Sequence, residues 1–496
     1  MTASTSTPEQ LRINSLEQEV HYLKEQLAWF QRQVFGQKSE KVIEQSSQLY
    51  LDGLGELSQE TSEEKQKIAG HARTKQRKGQ DKISFPEDLP VESQVIDLPE
   101  TEKICTVTNQ ALVKIGEEIT RKIVYKPGSY YLKKIVRLKY ALPQGEGIRT
   151  APLPETLLNR CQADESLLAD IIVKKFADHL PLCRQSEILA RQGIGISRQI
   201  MSEWVMRCGK ALKPLFDEMT KHVLQSGNVF ADETPIDMLA PGNGKTEQGY
   251  MWVLVGGQAS NPPYRVYNFR NGREHSHAAD LLKGYTGVLH SDKYGAYEAL
   301  ANKKQFVWCP CWAHIRRKFI EAESGDPPLR KEVLELIKDL FLLEEVAWSH
   351  LPEERLLIRQ EKQVPIIDRL IELIKGRLIQ GDVLPKSKFK EALGYFCSLI
   401  PHLKNYTQHP FARLDNNVAE RAVRPLAIGR KNWLFVGSEI GGEAAATLLS
   451  LVQSCRALNI NPWEYLVDVM RRMMSHPANK LFELLSDQWA KEKNII

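Results

Sequence analysis

Between residues 228 and 309 the chain alternates short β-prone runs with turn signals, and this alternation restricts the fold more than any other stretch. Residues 228–237 (NVFADETPID) begin as an apolar strand that is read as ending on Asp232. Residues 250–256 and 264–269 are β-rich and separated by turn residues, so three neighbouring strands are expected. A polar helical stretch follows around 276–283, then VLHSD at 288–292, a short strand that stops on Asp292. Residues 306–309 read as a fifth strand and 312–323 as a basic helix. Three strands, a helix, a strand, a helix and a strand make an α/β unit with strands of mixed origin.

That order is the one expected of an RNase H-like fold. Its first part is placed at 225–325 and its last part at 413–445. A helical insertion over 326–412 lies between them, carried by Val333, Leu336, Ile337, Leu340 and Phe341 and later by Ile367, Leu370, Ile371 and Ile374. A helical segment over 446–496 ends the chain. At 496 residues with 42% hydrophobic content, several domains are required.

The N-terminal part divides further. Ile13, Leu16, Val20, Leu23, Leu27, Phe30 and Val34 recur at spacings of three and four, a coiled-coil seam placed at 10–41. The same stripe also fits an amphipathic helix packed on its own protein. Residues 42–82 form a flexible basic linker, in which seven Lys or Arg face a single Asp from residue 65 to 82. Such a run suits phosphate contact or simply stays hydrated. Residues 83–150 mix short β-prone runs, among them 130–140, with turns. Residues 155–222 read as helix, short glycine turn and a third helix capped by Ser197, the layout of a helix-turn-helix. In that layout Arg198, at the start of the last helix, faces DNA.

A formal charge of +5 is mild for this length, so nucleic-acid contact has to come from local patches. The first residues lack a signal peptide's basic start and apolar run, and no apolar stretch approaches the ~20 residues that span a bilayer. Eight scattered cysteines give no disulfide framework. A cytoplasmic protein without membrane attachment is expected.

The chemistry concentrates in DNNVAERAVRPLAIGRKNWLFVGS, residues 415–438. Glu420 lies about one helical turn after Asp-Asn-Asn, beside Arg421 and Arg424 and ahead of Arg430 and Lys431. A carboxylate among so many cations suits a place where metal ions meet phosphates. Carboxylates at strand ends can converge although distant in sequence. Asp232, Asp292 and Glu420 together could therefore hold a pair of Mg²⁺ ions, or Mn²⁺. Two such ions activate the attacking oxygen and stabilise the leaving oxygen of a phosphodiester. A single Asp in such a place is more often a turn or helix cap. His314, Arg316, Arg317 and Lys318 could meet DNA phosphate from one side, and Arg421, Arg424, Arg430 and Lys431 from the other. Trp433 and Phe435 could stack on an unpaired base, although an aromatic pair in a strand is more often core. Cys309-x-Cys311-x-x-His314 resembles a partial metal-ligand set, but is read as buried packing.

VFADETPID, HSDKYGAY, CWAHIRRKF and DNNVAER closely resemble the DDE transposases of the insertion-sequence family numbered sixty-six. The likeness runs from FGQKSEK at 35–41 to NPWEYLVDVMRRM at 461–473. It implies an RNase H-like catalytic domain with Asp232, Asp292 and Glu420 as the metal-binding triad. It further implies element-end and target DNA as substrates, and small accessory proteins of the same element. The family's segment before the helical domain carries four cysteines as a zinc module. Here Cys105 stands with Thr108 in place of the second of its pair, and ALPQGEG at 141–147 has none. Four thiolates cannot be assembled, so residues 83–150 read as zinc-module-like without zinc. A DNA transposase, dimeric or higher through its coiled coil, is the function this reading implies. A silent DNA-binding repressor derived from a transposase and a structure-selective nuclease are the alternatives.

Overall fold

A computed structural model describes residues 128, 130–136, 139–141 and 148–150, then 155–495 except 241–244, 258–262 and 324. The expected coiled coil, the linker and most of the 83–150 segment lie outside the described residues. Residues 130–136 carry no strand, contrary to the β-prone reading of that run. Pairing begins only with β1 (Lys139–Ala141), antiparallel to β2 (Ile148–Thr150). A strand requires a ladder partner, and among the described residues none pairs with 130–136.

Four helices follow: α1 (Glu165–Phe176), α2 (Leu182–Arg191), α3 (Arg198–Ala211) and α4 (Lys213–Leu224). Asp164 Oδ1 accepts the Ser166 N–H at 3.0 Å to start α1, and Ser197 Oγ accepts the Ile200 N–H at 3.3 Å to start α3. Gly193, at φ +79°, makes the left-handed turn between α2 and α3 that a side chain would strain. α4, with Pro214 in its first turn, carries helix past the expected boundary at 222.

The sheet comprises β3 (Asn228–Ala240), β4 (Lys245–Gly256), β5 (Tyr264–Arg270), β6 (Val288–Ser291), β7 (Val307–Pro310) and the two-residue β8 (Phe435–Val436). Its order is β5-β4-β3-β6-β7, with β8 beside the far end of β3. The first three strands form an antiparallel meander, and β6, β7 and β8 are parallel to their neighbours. Parallel neighbours need crossovers: α5 (His275–Leu281) precedes β6, α6 (Gly295–Asn302) joins β6 to β7, and α7 (Trp312–Glu321) leaves the sheet.

The insertion consists of α8 (Pro327–Trp348), α9 (Pro352–Ile358), a π-helical turn (Arg359–Gln363), α10 (Val364–Ile379) and α11 (Lys388–Leu399). Arg359 is fully buried inside it. Its five N–H donors reach both Glu344 oxygens and the carbonyls of Tyr406, His409 and Ala412. One side chain thereby ties the insertion to the segment that returns to the sheet.

After that return come α12 (Asn417–Trp433), α13 (Glu439–Ala457), α14 (Pro462–Arg472) and α15 (Ser486–Glu492). α13 runs straight through the boundary expected at 445/446, because it closes the sheet. Its Ser450 and Ser454 hydroxyls accept the backbone N–H groups of Tyr267 and Arg265 on edge strand β5, at 2.8 and 2.9 Å. Gly209 of α3 admits Ala444 of α13 so closely that a Cβ would stand 2.6 Å away. Ser450→Ala leaves the buried Tyr267 N–H unpaired and should cost about 1–3 kcal/mol. Denaturant unfolding measures this, and an unchanged midpoint would contradict it. Among the described residues no helix is long and apolar enough to cross a membrane.

Candidate active site

β3 and β6 pair in parallel as Asn228↔Val288, Val229↔Leu289 and Phe230↔His290. Two residues beyond the last pair on each strand stand Asp232 and Asp292, so register brings the two acids side by side. β6 stops there. β3 continues to Ala240, so Asp232 is not at a strand end as expected from its apolar run. Pairing with β4, from Phe230↔Val255 to Ala240↔Lys245, sustains β3 through its polar half. Asp232 instead lies just past the end of the parallel pairing of β3 with β6.

Glu420 arrives from the other direction, in the first turn of α12. The preceding Asp-Asn-Asn holds it in place. Asp415 accepts from the Asn417 backbone N–H at 3.0 Å and from its Nδ2 at 2.9 Å. Fully buried Asn416 donates from Nδ2 to the Ala231 carbonyl at 2.8 Å, pinning the helix start one residue before Asp232. Tyr267 of β5 donates its hydroxyl to the Ala422 carbonyl at 2.6 Å.

The acids feel one another. Burial first, then the charges of Glu233, Asp292 and Glu420, push the Asp232 carboxyl up to about 7. Asp292 uses Oδ1 to accept the Tyr294 N–H at 3.0 Å, the turn role open to any Asp. Its Oδ2 stands 4.0 Å from the Arg273 guanidinium. Glu420 Oε1 lies 3.6 Å from His314 Nδ1, and Oε2 lies 3.7 Å from Arg317. Burial lowers the His314 pKa, opposed by the Glu420 charge.

Two residues here were missed from the sequence. Glu233, whose side chain is 1% exposed, accepts from Arg273 Nε at 2.8 Å and from the Tyr297 hydroxyl at 3.0 Å. Arg273 lies over the Tyr294 ring and spans from Glu233 toward Asp292. It sits in the loop after β5, where no periodicity marks it. The adjacent acids in ADET were the only available signal.

The candidate phosphate contacts fall into groups. Arg421, Arg424 and Lys431 are exposed on α12, and Arg317 is exposed on α7. Arg316 is half-buried on α7. Arg430 is engaged as a strut, donating to Thr234 Oγ1 at 2.7 Å and to the Pro235 carbonyl. Lys318 pairs with Glu391 of α11 at 2.6 Å. Arg198 is exposed on the separate helical unit, at the first position of α3. Trp433 and Phe435 are not a pair in one strand. Trp433 closes α12 beneath the Lys175 ammonium, 4.9 Å from its ring, and burial brings that lysine down to about 8. Phe435 opens β8 and is 40% exposed.

A free Asp ionises near 3.9, whereas folded Asp232 keeps its proton to about 7. Between those values the folded state binds the extra proton, so stability falls as pH rises through roughly 4–7 and stays reduced above it. Asp232→Asn removes that loss. In the presence of a chelator its Tm should exceed that of the unsubstituted protein more at pH 7.5 than at pH 4.5. An equal difference at both would exclude the cause given.

A family model described as Transposase IS66 family matches residues 160–444. One described as Transposase C of IS166 homeodomain matches 22–93, and the IS66 C-terminal element matches 450–486. Similar relatives come from Sinorhizobium fredii (strain NBRC 101917 / NGR234). Uncharacterized protein y4qI is 34% identical over 402 residues, which cover 78% of this chain and 74% of its own. Uncharacterized protein y4hP is 32% identical over 93% of this chain and 87% of its own. With more than half of its length matched by one family model and two such relatives, the chain belongs to the IS66 family of transposases.

Proposed function

We propose that this transposase binds insertion-sequence ends and catalyses metal-dependent strand cleavage and strand transfer through Asp232, Asp292 and Glu420. One observation carries the reading. Two carboxylates each stand two residues past the last β3–β6 pair, with a third on α12 near enough to raise the first. Strand order β5-β4-β3-β6-β7, antiparallel then parallel, supports an RNase H-like core.

The donor set fits hard cations. It offers carboxylate oxygens, its charges repel one another without a close counter-ion on Asp232, and buried Glu420 Oε1 has no hydrogen-bond partner. Asp232, Asp292 and Glu420 would hold Mg²⁺ or Mn²⁺, which supplies Lewis acidity to both oxygens of the reacting phosphodiester. Arg317, Arg421 and Arg424 would position DNA phosphate, and Arg273 keeps Glu233 neutralised beside the acids. Arg198 on α3 would contact the element end through the helix-turn-helix. The coiled coil would pair protomers so that two ends are held together, and accessory proteins of the same element would join this complex.

The test is incubation of protein with labelled end DNA, target plasmid and Mg²⁺. Joined product is the expected result. Binding alone would establish a silent repressor, and cutting without joining a nuclease.

A further inference from the structure

Among the described residues, Cys311, His314 and Glu420 each present a ligand atom within 4.8 Å of the other two. The arrangement has a local cause. Cys311 is the N-cap of α7, and His314 follows one turn later on the same side of the helix. α12 enters across this turn: Trp312 N–H donates to the Leu414 carbonyl at 3.1 Å, and Asn416 N–H donates to Cys311 Sγ at 3.2 Å. That crossing sets Glu420, four residues after Asn416, opposite His314.

Three features distinguish this cluster from ordinary packing. His314 Nδ1 and Glu420 Oε1 are both buried and neither has a hydrogen-bond partner, although they face each other at 3.6 Å. That distance is too long for a hydrogen bond between them. It matches the spacing of two ligands on one tetrahedral ion, about 3.3–3.8 Å for bonds of about 2.0–2.3 Å. Burial holds the Cys311 thiol pKa well above its ordinary value, but Sγ accepts a backbone N–H and lies at a helix N-terminus, two influences that favour the thiolate once a cation is near. The two Glu420 oxygens also have separate neighbours, since Oε2 faces Arg317 while Oε1 faces the imidazole.

We propose that Cys311, His314 and Glu420 form a binding site for a borderline-soft divalent cation, Zn²⁺, beside the three-carboxylate site. Sulfur and imidazole favour such an ion over Mg²⁺, which takes oxygen ligands. Binding releases the Cys311 thiol proton to solvent. Three protein ligands leave a fourth position open, and the quarter-exposed His314 and Glu420 side chains give access to it. This departs from the sequence-based expectation of no zinc, which rested on the missing four-cysteine module and read Cys309-x-Cys311-x-x-His314 as buried packing. Cys309, two residues earlier on β7, takes no part. The site shares Glu420 with the proposed strand chemistry but binds metal whether or not that chemistry operates. Where both hold, zinc draws Glu420 away from the hard-cation set and slows Mg²⁺-dependent cleavage.

The full-length protein, stripped with a chelator, is titrated with Co²⁺ as a spectroscopic substitute for zinc. A sulfur-to-cobalt charge-transfer band should appear, saturate at one equivalent, and be abolished by added Zn²⁺ but not by excess Mg²⁺. Cys311→Ser should remove it and Cys309→Ala should retain it. His314→Gln, at a less buried position, should weaken Co²⁺ binding by more than about tenfold, as even supporting groups of metal sites do. No band in the unsubstituted protein, or an undiminished band in Cys311→Ser, would overturn the site. Loss of end cleavage in Mg²⁺ alone, with the band intact, would count only against the proposed strand chemistry.

Discussion

Asp292→Asn should abolish end cleavage and strand transfer while leaving end binding intact. The substitution keeps the size of the side chain and the oxygen that accepts the Tyr294 N–H, so the turn into α6 survives. It removes the negative charge beside Asp232, and with it a ligand that a divalent cation requires. Altering mere supporting groups of a metal site costs about 10–100-fold, so losing a ligand should exceed ~100-fold in strand-transfer rate. Gel-shift and strand-transfer assays on the same preparation separate the two effects. Full transfer activity in this variant would remove Asp292 from the acid set. Because the Asp232 carboxyl is raised partly by the Asp292 charge, the same substitution should also lower the Asp232 pKa.

The second large effect is on stability. Arg359→Met leaves the buried Glu344 carboxylate without its cation and three carbonyls without their donor. Glu344 keeps only neutral donors, Trp348 Nε1 at 2.8 Å and Gln363 Nε2 at 3.0 Å. Breaking one side of a buried ion pair costs about 3–5 kcal/mol, a large share of a domain's net stability. Denaturant unfolding should show that loss, and one below about 1 kcal/mol would contradict the clamp. Glu344→Gln should be milder, since the amide oxygen still accepts from the guanidinium.

Element types in the core were legible because strand alternation and turn residues act locally. All five apolar runs became strands, and the helical periodicity of 326–412 became helices α8 to α11. Strand ends were less legible. β3 continues past Asp232 because β4 pairs with it, and pairing belongs to two segments rather than one. The same limit hid Arg273, whose partners Glu233 and Asp292 are distant in sequence. Arg430 looked like a phosphate contact because its charge was visible, whereas the Thr234 hydroxyl that engages it was not. Cys311 read as packing because the third ligand candidate beside it and His314 comes from a different helix. Glu420 becomes a neighbour of His314 only when α12 crosses the start of α7.

The helical insertion also bears on the protein's synthesis. Asp232 and Asp292 belong to consecutive parts of the sheet, but Glu420 is encoded roughly 190 residues after Asp232, beyond every insertion helix. At ~5–20 residues per second, a ribosome needs on the order of ten seconds or more to cover that distance. Throughout that interval the emerging polypeptide has at most two of the three acids and lacks the third. On the proposed mechanism, a chain interrupted before α12 cannot cut DNA, so premature termination produces inert fragments rather than an unregulated nuclease.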